Sequence, residues 1–286
     1  MTVTEAREFG MVQLSGRLES LDRSRADATM LLMHVLQCTR AEILERPSQI
    51  LLPKEEQHYR RLLAERARNK PIQYITGQQE FWGLPFFVTP DVLIPRPETE
   101  HLVEAAIEKL QAHPAPRIVD VGTGSGAIAV ALADTLPQAQ ITAIDISEAA
   151  LAVAQKNAVQ NGVANRIRWM QCDLLTDVTQ EEFDAVISNP PYIADVEYTT
   201  LAVEVRDYEP ATAVFAGPTG LEIYERLIPQ AACVLVPGGW LLLEMGYKQK
   251  AAIEQLLQDW QHIAFMNDLQ GIARVACAQP PRKPSL

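Results

Sequence analysis

Between Arg117 and Ser188 the chain alternates short runs rich in β-branched residues with longer helical ones: Arg117–Val121, Gly126–Asp134, Gln140–Asp145, Glu148–Gln160, Ile167–Gln171 and Phe183–Ser188. Strand and helix in turn imply a mostly parallel sheet with helices on both faces, and in such sheets ligands bind beyond the carboxyl ends of the strands. Thr99 reads as the cap of an amphipathic helix through Leu110. After Ser188 the pattern predicts a helix over Leu221–Val234, a turn at Pro237-Gly238-Gly239 and a strand over Trp240–Glu244. A helix over Gln249–Trp260 and two last strands near Ile263–Met266 and Arg274–Ala278 complete the expected fold.

The first part of the chain has a different texture. From Thr4 to about Asn69 apolar residues recur at three-and-four spacing (Leu14, Leu18, Leu21; Met30, Leu31, Met33, Leu36), which predicts a small helical bundle. Caps are expected at Ser24 and at Thr39, with Glu42 three residues on, and Pro53 suits a first helical turn. Lys70-Pro71 stops the pattern. Glycines and prolines then break the aromatic and β-branched stretch up to Pro97, which reads as a hairpin with irregular ends rather than helix. The expected organisation is a bundle over residues 1–70, a β-hairpin connector over 71–97 and a catalytic domain over 98–286.

Composition narrows the function classes. At 286 residues and 48% hydrophobic content the chain can bury one substantial core and a second small one. A net charge of -11 argues against a surface built to grip phosphate backbones, so no stable nucleic-acid binding is expected. The longest apolar runs, such as Ala127–Ala133, fall short of the ~20 residues of a membrane-spanning helix, and the N-terminus has no charged-then-apolar signal. A cytoplasmic protein without membrane contact is expected. Cys38, Cys172, Cys233 and Cys277 are scattered, with neither zinc-ligand nor disulfide spacing, and no metal is expected.

Three features carry the chemistry. The strand Arg117–Val121 runs into Gly122-Thr123-Gly124-Ser125-Gly126 and then into an apolar helix, a loop whose glycines let a ligand reach main-chain N–H groups. Asp145 ends the next strand, where a carboxylate can accept both hydroxyls of a ribose; a dinucleotide would use it equally well. Asp120, beside a G-x-G-x-G loop, suits a ligand with an amino group and a sulfonium charge better than a polyanion. Last, Ser188-Asn189-Pro190-Pro191-Tyr192 follows a strand at the same carboxyl edge. The Asn189 side-chain oxygen and the Pro190 carbonyl can each accept one N–H of an NH2 group, Pro190 and Pro191 stiffen the loop, and Tyr192 offers a face for a planar group. The reaction that fits is methyl transfer from S-adenosylmethionine to a planar amide or amine nitrogen, by in-line displacement without metal or covalent nucleophile.

Asp120 to Gly126, Asp145, Asp173-Leu174 and Asn189 to Tyr192 together resemble a class I S-adenosylmethionine methyltransferase. More narrowly, Pro71-Ile-Gln-Tyr-Ile-Thr-Gly77, Glu80-Phe-Trp-Gly83, Leu93-Ile-Pro-Arg-Pro-Glu-Thr-Glu100, Tyr208-Glu-Pro210, Gly220-Leu221 and Asp268-Leu-Gln-Gly-Ile-Ala-Arg-Val275 resemble the release factor glutamine methyltransferases, the PrmC/HemK family. The resemblance implies a Rossmann-like seven-stranded sheet and N5-methylation of the glutamine in the Gly-Gly-Gln motif of class 1 peptide-chain release factors. It implies that Gly122, Thr123, Gly124, Ser125 and Gly126 line the methionine moiety, Asp145 the ribose, Asp173 and Leu174 the adenine, and Asn189 to Tyr192 the glutamine amide. The helical bundle would dock the release factor away from the glutamine. Leu174 is one departure, since some relatives have an aromatic residue there. The competing reading is a nucleic-acid amino N-methyltransferase acting on adenine N6 or guanine N2 through the same loop; the acidic chain and the hairpin signature weigh against it.

Overall fold

The structure, a computed structural model, describes residues 1–281. Its chain forms two compact units, Met1–Gln78 with Ala202–Tyr208, and the rest. In the first unit lie α1 (Val3–Leu14), α2 (Leu21–Leu36), α3 (Arg40–Glu45), α4 (Pro53–Arg66) and α5 (Ile72–Thr76). Thr39 and Glu42 form the expected capping box on α3. Ser24 does not cap. The cap of α2 is Ser20, and Ser24 sits one turn inside, its hydroxyl donating to the Ser20 carbonyl. Helix α5 occupies Ile72–Thr76, where extended chain was expected, because Ile72 joins the core of the bundle; Gly77, with φ 74°, then ends it. The division of the units therefore falls after Gln78 rather than near residue 70.

Two polar arrangements hold this unit. Tyr59 is buried and its hydroxyl donates to the Ala28 carbonyl across Gly10, where an added Cβ would lie 2.1 Å from the hydroxyl oxygen. Arg66, 0% exposed, donates to Asp27 at 2.6 Å, to the Lys70 carbonyl at 3.1 Å and to Glu204 at 2.5 Å.

The second unit begins with the hairpin β1 (Gln78–Phe81) and β2 (Leu84–Phe87), turned at Trp82-Gly83 with positive φ at both. Then follow α6 (Glu100–Leu110), β3 (Arg117–Val121), α7 (Ala127–Thr135), β4 (Gln140–Asp145), α8 (Glu148–Gln160), β5 (Ile167–Gln171) and β6 (Phe183–Ser188). Two short strands, β7 (Ile193–Ala194) and β8 (Phe215–Gly217), bracket α9 (Val203–Tyr208), which belongs with the first unit, and α10 (Ala211–Val214). The remainder is α11 (Glu222–Val234), β9 (Leu235–Glu244), α12 (Lys250–Leu256), β10 (Gln261–Asn267) and β11 (Ala273–Gln279).

The main sheet has seven strands, as expected, and their order is β10-β11-β9-β6-β3-β4-β5. All pairs from β9 to β5 are parallel, and β11 is antiparallel to both its neighbours. Strands alternate their side chains between two cores: Ile118, Ala185, Ile187 and Leu242 pack with α6 and α7, whereas Val119, Val121, Val186 and Leu241 pack with α11 and α12. Pro237-Gly238-Gly239 does not separate helix from strand. It is looped out within β9, where Phe183 pairs Leu235 and Ala185 already pairs Trp240. After β5 the chain returns to the other side of β3 as β6, so strand order reverses between β3 and β6, and a crevice opens at their carboxyl ends.

Candidate active site

A cavity of about 320 Å³ lies in that crevice. Its lining includes Gly122 and Gly124 after β3, Asp145 after β4, Asp173 and Leu174 after β5, and Asn189, Pro190 and Pro191 after β6. All eight are candidates named above, six of them for the cofactor and Asn189 for both roles, and their convergence follows from parallel strands delivering every loop to one edge.

Asp120, Thr123, Ser125, Gly126 and Tyr192 are not in the lining. Alternation along β3 turns Asp120 toward α7, fully buried, where one oxygen accepts from Thr123 Oγ1 at 2.6 Å and from Ala129 N at 3.2 Å. Its other oxygen has no partner among the described residues, and burial pushes the carboxyl up to about 7. Ser125 gives its carbonyl to Asn157, and a Cβ on Gly126 would come within 3.0 Å of Ala154, so these two positions shape the loop from behind. Tyr192 lies against Gly246, where an added Cβ would stand 2.9 Å from its ring. Burial raises the Tyr192 phenol above its ordinary range.

At the loop itself, a Cβ on Gly122 would meet nothing within 4 Å, and φ is 73°, so the backbone there faces open space in a conformation that favours glycine. Asp145 accepts from Gly124 N at 2.8 Å and Ser147 N at 2.9 Å, and burial raises its carboxyl above the usual range. Asp173 meets Arg226 at 2.5 Å at the cavity rim. The open loop, the acid on β4 and the apolar Ile146 and Leu174 of the lining fit a small ligand with a ribose and a flat base.

Four side chains that were not among the site candidates hold these loops. Thr99 does not cap α6; its backbone is already helical, and its hydroxyl accepts from Asn189 Nδ2 at 3.0 Å instead. Glu244, at the end of β9 and 2% exposed, faces both Thr99 and Asn189. Asn157 pairs both backbone groups of Phe87, at 2.7 and 2.9 Å, and reaches Ser125 O at 2.8 Å, joining the hairpin to the glycine loop. Gln249 donates to Tyr192 O at 2.9 Å and Gly220 O at 3.2 Å and accepts from Gly246 N. Glu244 alone had a signal, an acid ending an apolar strand at the carboxyl edge, the same one that marks Asp145.

Residues 100–206 match the methyltransferase small domain, and residues 11–77 match the PrmC N-terminal domain. The same fold is seen in the ribosomal protein L11 methylase of Lactobacillus delbrueckii subsp. bulgaricus, with a TM-score of 0.50 and 26% identity over 68% of this chain and 84% of that one. It is seen also in the hMettl16 catalytic domain, with a TM-score of 0.58 and 18% identity over 90% of this chain and 95% of that one. Fold and site thus define a methyltransferase of the open parallel-sheet class. The release factor glutamine methyltransferase of Koribacter versatilis is 42% identical over 90% of this chain and 91% of its own. That of Nitratidesulfovibrio vulgaris is 42% identical over 92% and 91%. The chain belongs to the release factor glutamine methyltransferase family, PrmC/HemK.

Proposed function

We propose that the chain methylates N5 of the glutamine in the Gly-Gly-Gln motif of class 1 peptide-chain release factors, with S-adenosylmethionine as methyl donor. The observation that carries this reading is the setting of Asn189. Its Nδ2 is engaged by Thr99, no described group donates to its Oδ1, and the residue lines the same cavity as Gly122, Gly124 and Asp145. An acceptor so held suits an NH2 group, with the Pro190 carbonyl as second acceptor.

When bound, S-adenosylmethionine supplies an electrophilic methyl group on positively charged sulfur. Gly122 and Gly124 would hold its methionine part, Asp145 its ribose, and Asp173 with Leu174 its adenine. Asp120 would act through space on the positive charge from behind the loop, which Thr123, Ser125 and Gly126 shape. The task left to Asn189 and Pro190 is the nucleophile. A glutamine nitrogen is weak because its lone pair is delocalised into the carbonyl. Two acceptors on its N–H groups stabilise the positive charge that grows on nitrogen as the bond forms, a gain larger in the transition state than before it. Pro191 keeps the loop from relaxing, Tyr192 anchors it against Gly246, and the proton released is acidic enough to pass to water. The Met1–Gln78 unit would dock the release factor away from the glutamine.

The test is methyl transfer from labelled S-adenosylmethionine to a class 1 release factor, to its Gln→Ala variant at Gly-Gly-Gln, and to bulk RNA and DNA. Label on the intact factor alone is the expected result. Asn189→Ala is expected to lower kcat by roughly 10²- to 10³-fold, the cost of one preorganised transition-state contact. Label on nucleic acid and none on the factor would favour the amino-group methyltransferase of nucleic acid instead.

A further inference from the structure

The structure holds a buried acid that the reaction above does not use. Glu244 ends β9 on the face that also carries Trp240 and Leu242, the face covered by α6, and is 2% exposed. Thr99, 4% exposed, stands just ahead of α6, and Asn189 directly follows the neighbouring strand β6. The Glu244 carboxyl faces both of them and is held down by both, while its Oε2 has no partner among the described residues. Arg274, the cation that faces it, is already engaged by Asp268 at 3.0 Å. A buried acid served in this way is costly to the fold and calls for another account.

A side-chain amide is nearly symmetric in shape, so only its hydrogen-bond partners decide which end faces where. A carboxylate can only accept. Thr99, accepting from Asn189 Nδ2, keeps its own hydrogen, which the Glu244 carboxylate beside it can take, so that a single sense from amide to hydroxyl to carboxylate is available. We propose that Glu244 and Thr99 are positioning residues that lock the Asn189 amide with its NH2 inward and its oxygen on the cavity. The proposal rests on the reading of Asn189 as the acceptor for the glutamine amide. A reversed Asn189 would present N–H to N–H and reject that substrate. Thr99 lies in helical backbone and bonds no N–H of its helix, which leaves its hydroxyl for this purpose.

Burial pushes Glu244 up to about 7, with Glu98 raising it further and Arg274, Thr99 and Asn189 holding it down. Protonated, it becomes a donor and the orientation loosens. Asp120 titrates in the same range, so a pH limb belongs to Glu244 only if it disappears with Glu244.

The experiment uses the full chain and three variants, Glu244→Gln, Thr99→Val and Thr99→Ser. Its first readout needs no substrate: the side-chain 15N–1H pair of Asn189, assigned by its loss in Asn189→Ala, followed from about pH 6 to 8. The expected result is a shift with a midpoint near 7 in the unaltered chain and a flat profile in Glu244→Gln. The second readout is methylation of the release factor, where Glu244→Gln and Thr99→Val are expected to lose about 10- to 100-fold in kcat with S-adenosylmethionine affinity kept, and Thr99→Ser to recover most of it. A titrating Asn189 signal in Glu244→Gln, or equal losses in Thr99→Val and Thr99→Ser, overturns the proposal; so does a loss of kcat accompanied by an equal loss of cofactor affinity. If Glu244→Gln does not fold, the threonine pair carries the test. If the unaltered chain methylates no glutamine, the functional reading fails while the Asn189 signal still decides the positioning.

Discussion

Asp120 accepts two hydrogen bonds on one oxygen and, among the described residues, none on the other. Its carboxyl is raised from 3.8 to about 7, so between those values the folded chain holds a proton that the unfolded chain has lost. Stability then falls as pH rises through that window and levels off above about 7, and Glu244, raised from 4.5 to about 7, adds in the same sense. Asp120→Asn is expected to flatten this slope and to be more stable than the unaltered chain at pH 8 by roughly 1 to 4 kcal/mol. Urea denaturation of both chains at pH 5 and pH 8 measures it, and parallel slopes would refute it. Asp145 and Asn189 were legible in the sequence because each ends an apolar strand, and strand ends in a parallel sheet share an edge. Thr99 and Asn157 were not, because what they do depends on Asn189 and Ser125, 90 and 32 positions away along the chain.

Elements were legible where one period dominates. The parallel strands β3 to β6 were expected over the residues where they occur, because all are short apolar runs between turns. Helix α5 was hidden because five residues give no period to read, and its aromatic and β-branched composition suits a strand equally well. The Pro237-Gly238-Gly239 bulge looked like a turn for a similar reason: its residues are those of a turn, and only pairing with β6 on both sides makes it part of β9. At α4, the burial of Arg66 supports a sharper expectation. Arg66→Met should cost about 3 to 5 kcal/mol, since it leaves Asp27, 3% exposed, beside only the half-exposed Arg23. Adding Asp27→Leu should restore much of that, because the stranded charge is then gone. Denaturant midpoints of the single and double variants check both statements.

Over the whole molecule, charge sets what stays away. A chain at -11 lacks the cation surplus that condenses on phosphate backbones, so its affinity for bulk RNA at about 0.15 M salt is expected to be weaker than about 10⁻⁴ M. Fluorescence anisotropy against a mixed-sequence RNA tests this, and micromolar binding would contradict it. Among the described residues no helix is long and apolar enough to cross a membrane.

The order of strands also bears on how this chain is made. Strand β6 is almost wholly buried in the finished sheet, and its second neighbour, β9, lies beyond the whole segment from Asn189 to Val234. At the usual pace of synthesis that segment takes roughly 2 to 10 seconds to emerge from a ribosome. Through that interval the nascent sheet presents a bare, sticky margin to its surroundings, able to pair with any extended peptide nearby. Translation past Glu244 closes that margin, so a pause before it is the moment at which this protein most needs a chaperone.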